Sequence, residues 1–208
     1  LLPGWNKPRG QAAKARFVAV EGEGGWKLED LVVESRGLLV RGSVTFDDKG
    51  GLVSGVFPAY NLSDGDRMSI RVERAGHRVI GRGEMIDARH LIKSLSDPPQ
   101  PGPAGAGAAP AQTGELEVDV KANAVVGSNG EVIRQFEMRM VRQGQTIRSL
   151  SAGGRVGRDA TFAMDQRGQG AAQRITVSSG DAGALLRFLD LYRSLQGGNL
   201  ALIMTPPQ

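Results

Sequence analysis

The sequence predicts a mainly β protein: a curved antiparallel sheet of repeating β-groove units, with short helices near 88–95 and 181–195. Three observations carry this prediction. Apolar and polar residues alternate with period two through most of the chain. Thirty glycines and ten prolines punctuate those runs with turn signals. Apolar residues at helical spacing gather in one longer stretch, near the C-terminal end.

The elements follow in order. Phe17, Val18 and Val20, then Trp26 to Glu34, give two strands. Leu38, Val40, Val44 and Phe46 share one face, with Arg41, Ser43, Thr45 and Asp47 on the other. Asp47-Asp48-Lys49-Gly50-Gly51 is a turn, and Leu52 to Phe57 is the returning strand of a hairpin. A polar loop, Asn61 to Asp66, precedes Met68, Ile70 and Val72, which alternate with Arg67, Ser69, Arg71 and Glu73. Ala75-Gly76 turns the chain, and Arg78 to Met85 returns. Residues 97–114 are rich in Pro, Gly and Ala, a composition unable to build a core and expected of a mobile linker.

Beyond it, Leu116, Val118, Val120, Ala122 and Ala124 face one way, and Glu115, Glu117, Asp119, Lys121 and Asn123 the other. Gly127-Ser128-Asn129-Gly130 makes a hairpin turn. Phe136, Met138 and Met140 then alternate with Gln135, Glu137 and Arg139. Further strands are expected at Thr146–Val156, Ala160–Gln166, Arg174–Ser178 and Leu200–Met204. Between the last two, Ala184, Leu185, Phe188, Leu189, Leu191, Tyr192 and Leu195 take helical spacing, with Asp181 as N-cap and Gly197-Gly198 as the stop. The expected organisation is a first β-unit over 1–96, the linker over 97–114 and a second β-unit over 115–208. The two units share the pattern Asp-Ala-x-x-Leu followed by Leu or Ile, at Asp87 and at Asp181, which argues for a duplication.

Composition narrows the function. The formal charge is +4 and the isoelectric point about 9.8, yet the arginines alternate with acids, as in Arg71, Glu73 and Arg74. A nucleic-acid binder concentrates positive charge on one face, so no nucleic-acid partner is expected. Cysteine is absent, which excludes disulfides and thiolate chemistry in this chain. No stretch approaches the roughly 20 apolar residues of a membrane span. The chain starts at Leu1 and stops just after an apolar strand-like run, and is expected to be a piece of a longer protein.

Constellations for catalysis are sparse, and the chain is expected not to be an enzyme. His77 falls in a hairpin turn. His90 follows Asp87 in a short helix, a spacing able to orient an imidazole but equally that of a surface histidine after a helix cap. Gly22-Glu23-Gly24-Gly25 lacks the Lys and helix of a phosphate loop. Gly153-Gly154-Arg155-Val156-Gly157 lies within strand-like sequence, where glycine marks bulges or close packing. Asp47-Asp48 and Asp64-Gly65-Asp66 complete no calcium-loop spacing, and turn chemistry accounts for them. No cofactor or metal is implied. The residual signal is the apolar face itself, rich in flexible thioethers at Met68, Met85, Met138, Met140 and Met164, which suit varied acyl chains and equally an ordinary core.

One segment carries a resemblance. Asp181-Ala182-Gly183-Ala184-Leu185-Leu186-Arg187-Phe188-Leu189-Asp190-Leu191-Tyr192, followed by Gly197-Gly198-Asn199-Leu200, resembles the C-terminal signature of AsmA-like proteins. There an Asp-x-Gly-x-Leu-Leu helix precedes a Tyr and then a Gly-Gly strand opening. Residues 37–95 resemble repeats upstream of that signature in the large YhdP-type members. The Pro/Gly/Ala segment departs from a uniform repeat. The resemblance implies a periplasmic protein anchored in the inner membrane, with an apolar β-groove that carries phospholipid between inner and outer membranes. Expected groove residues are Leu116, Val118, Val120, Phe136, Met138 and Met140 in the second unit, and Met68, Ile70 and Val72 in the first. Arg134, Arg139 and Arg142 are candidates to meet phosphate headgroups. Expected partners are phospholipid acyl chains, neighbouring β-repeats of the same parent chain and envelope proteins. Two other readings compete: a scaffold whose open sheet edges dock repeats or a partner by strand addition, and a glycan hydrolase with two convergent carboxylates.

Overall fold

The computed structural model describes residues 12–22, 24–96, 114–144, 146–168 and 172–205. The expected linker at 97–114 lies outside these except for Gly114. The chain is mainly β, with twelve strands and two short helices among the described residues. It divides into two compact units, Leu1–Glu84 and Met85–Gln208.

In the first unit the strands lie side by side in chain order: β1 (Ala13–Gly22), β2 (Gly25–Ser35), β3 (Leu38–Asp47), β4 (Leu52–Asn61), β5 (Arg67–Glu73) and most of β6 (Arg78–Asp87). The pairings β1 to β5 are antiparallel hairpins. Turn chemistry sets their spacing. The Asp47 carboxylate accepts from the amides of Lys49 (3.0 Å) and Gly51 (2.6 Å), and Asp66 accepts from Leu62 and Ser63, both at 2.9 Å. These aspartates are spent on backbone donors, as the turn reading requires. The core is built by one sheet face: Leu38, Val40, Val44, Phe57 and Tyr60 are buried, with Leu31, Val33, Phe46, Leu52, Ile70 and Val72 packed against them. Phe57 and Tyr60 meet edge to face at 5.8 Å, and burial pushes the Tyr60 phenol pKa up.

The register of this sheet shifts at three places, one of them where β4 leaves Val53 over between Ser54 and Leu52; the other two are bulges near the middle of the strands. On β2 the register slips between Leu28 and Leu31, around Asp30 at φ 49°. On β4, Phe57 and Pro58 together oppose Gly42 of β3. A Cβ on Gly42 would strike the Val56 carbonyl oxygen and come within 2.9 Å of the Phe57 Cα. Glycine is what allows β4 to bulge across β3 at this point.

The second unit opens with the end of β6 and α1 (Arg89–Ser96), followed by β7 (Glu115–Val126), β8 (Val132–Gln143), β9 (Thr146–Val156), β10 (Ala160–Arg167), β11 (Arg174–Ser179), α2 (Ala182–Phe188) and β12 (Leu200–Met204). Strands β7 to β12 form an antiparallel meander in chain order. Here a helix completes the core. Ala184, Leu185 and Phe188 of α2 pack with Ala122, Val125, Ile133 and Val156 of the sheet, and Ala88, just before α1, and Ile92 of α1 join them. Helix α1, placed with the first unit on sequence, thus lends its buried residues to the second.

The helix predicted over 181–195 is real but shorter. Asp181 caps it, accepting from the Ala184 amide at 2.9 Å. It ends at Phe188 because Asp190 takes φ 58° and the Leu191 amide turns back to the Leu186 carbonyl. Leu191, Tyr192 and Leu195, apolar at helical spacing, are exposed instead, at 58%, 67% and 44%. The chain then folds back over the helix start. The amides of Ala182 and Gly183 donate to Gly198 and Gly197, satisfying donors that a helix N-terminus leaves open. Gly183 is required there, since a Cβ would meet the Leu195 carbonyl oxygen at 2.6 Å.

Candidate functional site

The ladder registers of the second unit decide which side chains share a face, because directly opposed residues point the same way. One row runs Val120, Met138, Ala152, Met164, Val177, Leu202 across six strands. The next runs Val118, Met140, Leu150, Gln166, Ile175, Met204. A third, shorter row holds Leu116, Arg142 and Ile147. Of the groove residues expected here, Val118, Val120, Met138 and Met140 form the middle of this face. Leu116 lies at one end, and Phe136, opposite Ala122, at the other.

That face has two regions. At the Phe136 end, α2 lies on the sheet, and Phe136, Phe162, Val177 and Leu200 pack against the buried cluster. The helix is tethered there. Arg187 Nε donates to Glu131 at 2.8 Å and its Nη2 pairs with the same carboxylate at 2.7 Å. Asn129 Nδ2 donates to the Arg187 carbonyl at 2.9 Å. Gly127 admits the Phe188 ring, which a Cβ would overlap. Away from the helix, Val118, Val120, Met138, Met140, Leu150 and Met164 stand half-buried outside that cluster, and Leu202 and Met204 are 42% and 41% exposed.

The reverse face is charged. Lys121 Nζ donates to Glu137 at 2.8 Å, and Arg139 pairs with Asp119 at 3.7 Å. The Lys121 hydrogen bond, with its charge and that of Arg139, holds the Glu137 carboxyl below its ordinary pKa. Of the arginines proposed for headgroups, Arg139 is therefore turned away from the apolar rows. Arg134 donates to the carbonyls of Gly157 (3.2 Å) and Arg158 (2.9 Å), bracing the turn after β9. Arg142 alone of the three shares the apolar face.

In the first unit Ile70 and Val72 back the buried cluster, and Met68, two residues before Ile70 on β5, is half-buried. That unit also holds a concavity of about 800 Å³ on the opposite side, lined by Phe17, Val18, Arg41, Val56 and Pro58 among others. It lies beside both bulges, and among its charged lining residues Lys27 pairs with Glu29 at 2.7 Å and Arg41 with Glu34 at 3.7 Å.

The other chemical candidates separate. His77 is an exposed turn residue, and His90 is exposed on α1. Asp87 pairs with Arg89, at 2.6 Å to Nη2. No group of three or more His, Cys, Asp or Glu side chains poised for a metal occurs among the described residues. No helix among them is long and apolar enough to cross a membrane. Sequence reasoning missed Leu150, Ala152, Val177 and Leu202 as members of the same face, since only the registers across β8 to β12 align them.

In comparisons with protein-family models, with curated proteins and with solved structures, the chain matches none.

Proposed function

We propose that the open apolar rows of the second unit are a non-catalytic surface that holds lipid acyl chains. In this reading the chain is part of an AsmA-like periplasmic protein, anchored in the inner membrane, that moves phospholipid toward the outer membrane. The observation that carries the reading is the set of half-buried Met, Leu and Val side chains that extends past the helix-covered core. A face finished as ordinary core would be capped along its length, as it is under α2. Each methylene that leaves water on this surface contributes about 0.8 kcal/mol, and thioethers adjust to chains of differing shape.

The test is native mass spectrometry of the chain purified from bacteria without detergent, followed by extraction and lipid identification. Wild type is expected to retain phospholipid. Met138→Glu with Met140→Glu is expected to lose it while keeping the fold, since both side chains are already partly solvated. A lipid-free wild type that also takes up no added fluorescent lipid would sink the reading.

A second reading has its own observation. All ten residues of β1 are exposed, and among the described residues β1 pairs with β2 alone, with no strand on its other edge. A long unpaired edge with Phe17, Val18 and Val20 exposed at 54%, 52% and 41% is suited to strand addition by another repeat or an envelope protein. Replacing Val18 with Pro would block that pairing and leave lipid retention intact.

A further inference from the structure

We infer that Arg142 is the headgroup anchor of the apolar face, taking the phosphate of an acyl lipid whose chain lies along β8 toward α2. This rests on the lipid-binding reading above and adds the class of lipid and its orientation.

The argument starts from charge. A guanidinium cannot shed its proton in a protein, so Arg142 brings a permanent cation to a row otherwise made of Leu116 and Ile147, next to the row of Val118, Met140 and Leu150. Its Nε is buried and has no hydrogen-bond partner. Among the described residues no carboxylate pairs with it, whereas Arg139 and Arg134 each find one, Asp119 at 3.7 Å and Asp159 at 3.6 Å. The acids flanking its ladder partner on β7, Glu115 and Glu117, alternate with Leu116 and take the opposite face, as does Glu137 of its own strand, opposite Lys121. A cation on an apolar surface is costly unless an anion meets it, and the described residues supply none.

Geometry then sets the occupant. From Arg142 to Phe136, where α2 closes the face, β8 spans six residues, about 20 Å. One leaflet of a bilayer's hydrocarbon core, half of the full thickness, is about 15 Å deep. An acyl chain therefore fits between the cation and the helix, with Met138 and Met140 beneath it. The complement of an apolar strip ending in a forked donor is an amphiphile with an oxyanion at one end.

The experiment compares fluorescent phosphatidic acid with fluorescent diacylglycerol of the same two chains, titrated against the whole chain. Wild type is expected to bind phosphatidic acid at least about tenfold more tightly, the worth of a charge-assisted hydrogen bond. Arg142→Gln is expected to remove that preference by weakening phosphatidic acid alone, and Arg142→Lys to restore part of it. If wild type binds both lipids equally, or Arg142→Gln keeps the preference, the anchor is overturned and the acyl surface stands. If inorganic phosphate at matched concentration displaces phosphatidic acid completely, the chain contributes nothing and the lipid assignment at Arg142 fails. If neither lipid binds wild type, the acyl surface itself is wrong and the anchor falls with it. Should Arg142→Gln not fold, the two-lipid comparison on wild type and Arg142→Lys still decides the matter.

Discussion

The two units solve the same problem differently. Each has a β-meander with one apolar face. In the first, the buried set is contributed by strands alone, with Val40 fully enclosed at 0% exposure between Leu38 and Val44 of its own strand and Tyr60 of the next. In the second, a seven-residue helix is laid on one end of the face, and Leu185, at 2% exposure, becomes the centre of the core. The difference teaches that a sheet face of this kind is closed either by its own strands' large side chains or by a helix laid on it, and that in the second unit it is left half-solvated beyond the helix. The largest effects should therefore come from the helix. Leu185→Ala is expected to lose about 3–4 kcal/mol, within the range for buried Leu truncation. Val40→Ala removes two methyl groups and should lose about 2 kcal/mol, at about 0.8 kcal/mol per group plus a small cavity cost. Urea denaturation with amide exchange read strand by strand would test the ranking. Equal losses at the two sites would break the comparison.

A device shared by both units sharpens it from the other side. On β2 a non-glycine residue, Asp30, takes positive φ in a bulge, and on β8 Gln135 does the same at φ 51°. The strand beside each carries a crowded glycine: Gly42 on β3, crowded by the bulge of its other neighbour β4, and Gly154 on β9, crowded by the bulged β8 itself, where a Cβ would lie 2.6 Å from Ile133 Cγ2 and 2.8 Å from the Arg134 carbonyl oxygen. Both backbones would have to move to admit a methyl group. Gly42→Ala and Gly154→Ala should each cost about 1–3 kcal/mol, as overpacking does. An alanine tolerated at either position, measured by thermal unfolding, would mean that the bulge there is not held by close strand approach.

Much of this was legible in the sequence, for a physical reason. Period-two alternation is a property of single strands, so Leu116 to Ala122 and Phe136 to Met140 announce their faces without a partner. Turns are equally local: Asp47 to Gly51 and Gly127 to Gly130 hold their own signals. What was not legible depends on pairing. Bulges at Gln135 and Arg148 shift the register of β8 against β9, so no pattern within one strand shows that Met138 meets Ala152, or that Arg142 meets Ile147. The overrun of the second helix has the same root. Leu191, Tyr192 and Leu195 keep helical spacing, but Asp190 is held by Asn129 (3.0 Å) and Arg193 (3.0 Å), and these contacts favour a turn that periodicity does not encode. The repeated Asp-Ala motif shows the limit from within. Ala88 and Ala182 are both buried, yet Leu91 is 62% exposed where its counterpart Leu185 is 2% exposed.

That last pair of helices yields the smallest of the expected effects. Both follow an aspartate, but the aspartates do different work. Asp181 accepts from the backbone of its own helix. Asp87 is bonded mainly by the Arg89 side chain, through Nε at 2.9 Å and Nη2 at 2.6 Å, and also by the Arg89 amide at 3.1 Å. The Arg89 side-chain hydrogen bond outweighs partial desolvation and holds the Asp87 carboxyl below its ordinary pKa of 3.8. A carboxylate whose pKa is lower folded than unfolded stabilises the fold above its unfolded value, and the contribution disappears as pH falls through the folded one. The start of α1 should therefore loosen only below about pH 4, where the unfolded carboxyl begins to take up protons. The Arg89 side chain is 61% exposed, and solvent screening keeps such a pair within about 1 kcal/mol. Asp87→Asn should lower the protection of the Ile92 amide, which donates to Ala88 at 2.8 Å, by a few-fold at pH 7. It should also flatten the acid dependence of that amide. If Asp87→Asn leaves the acid dependence unchanged, the pair with Arg89 does not fix the start of α1, and the burial of Ala88 and Ile92 in the second core holds the helix unaided.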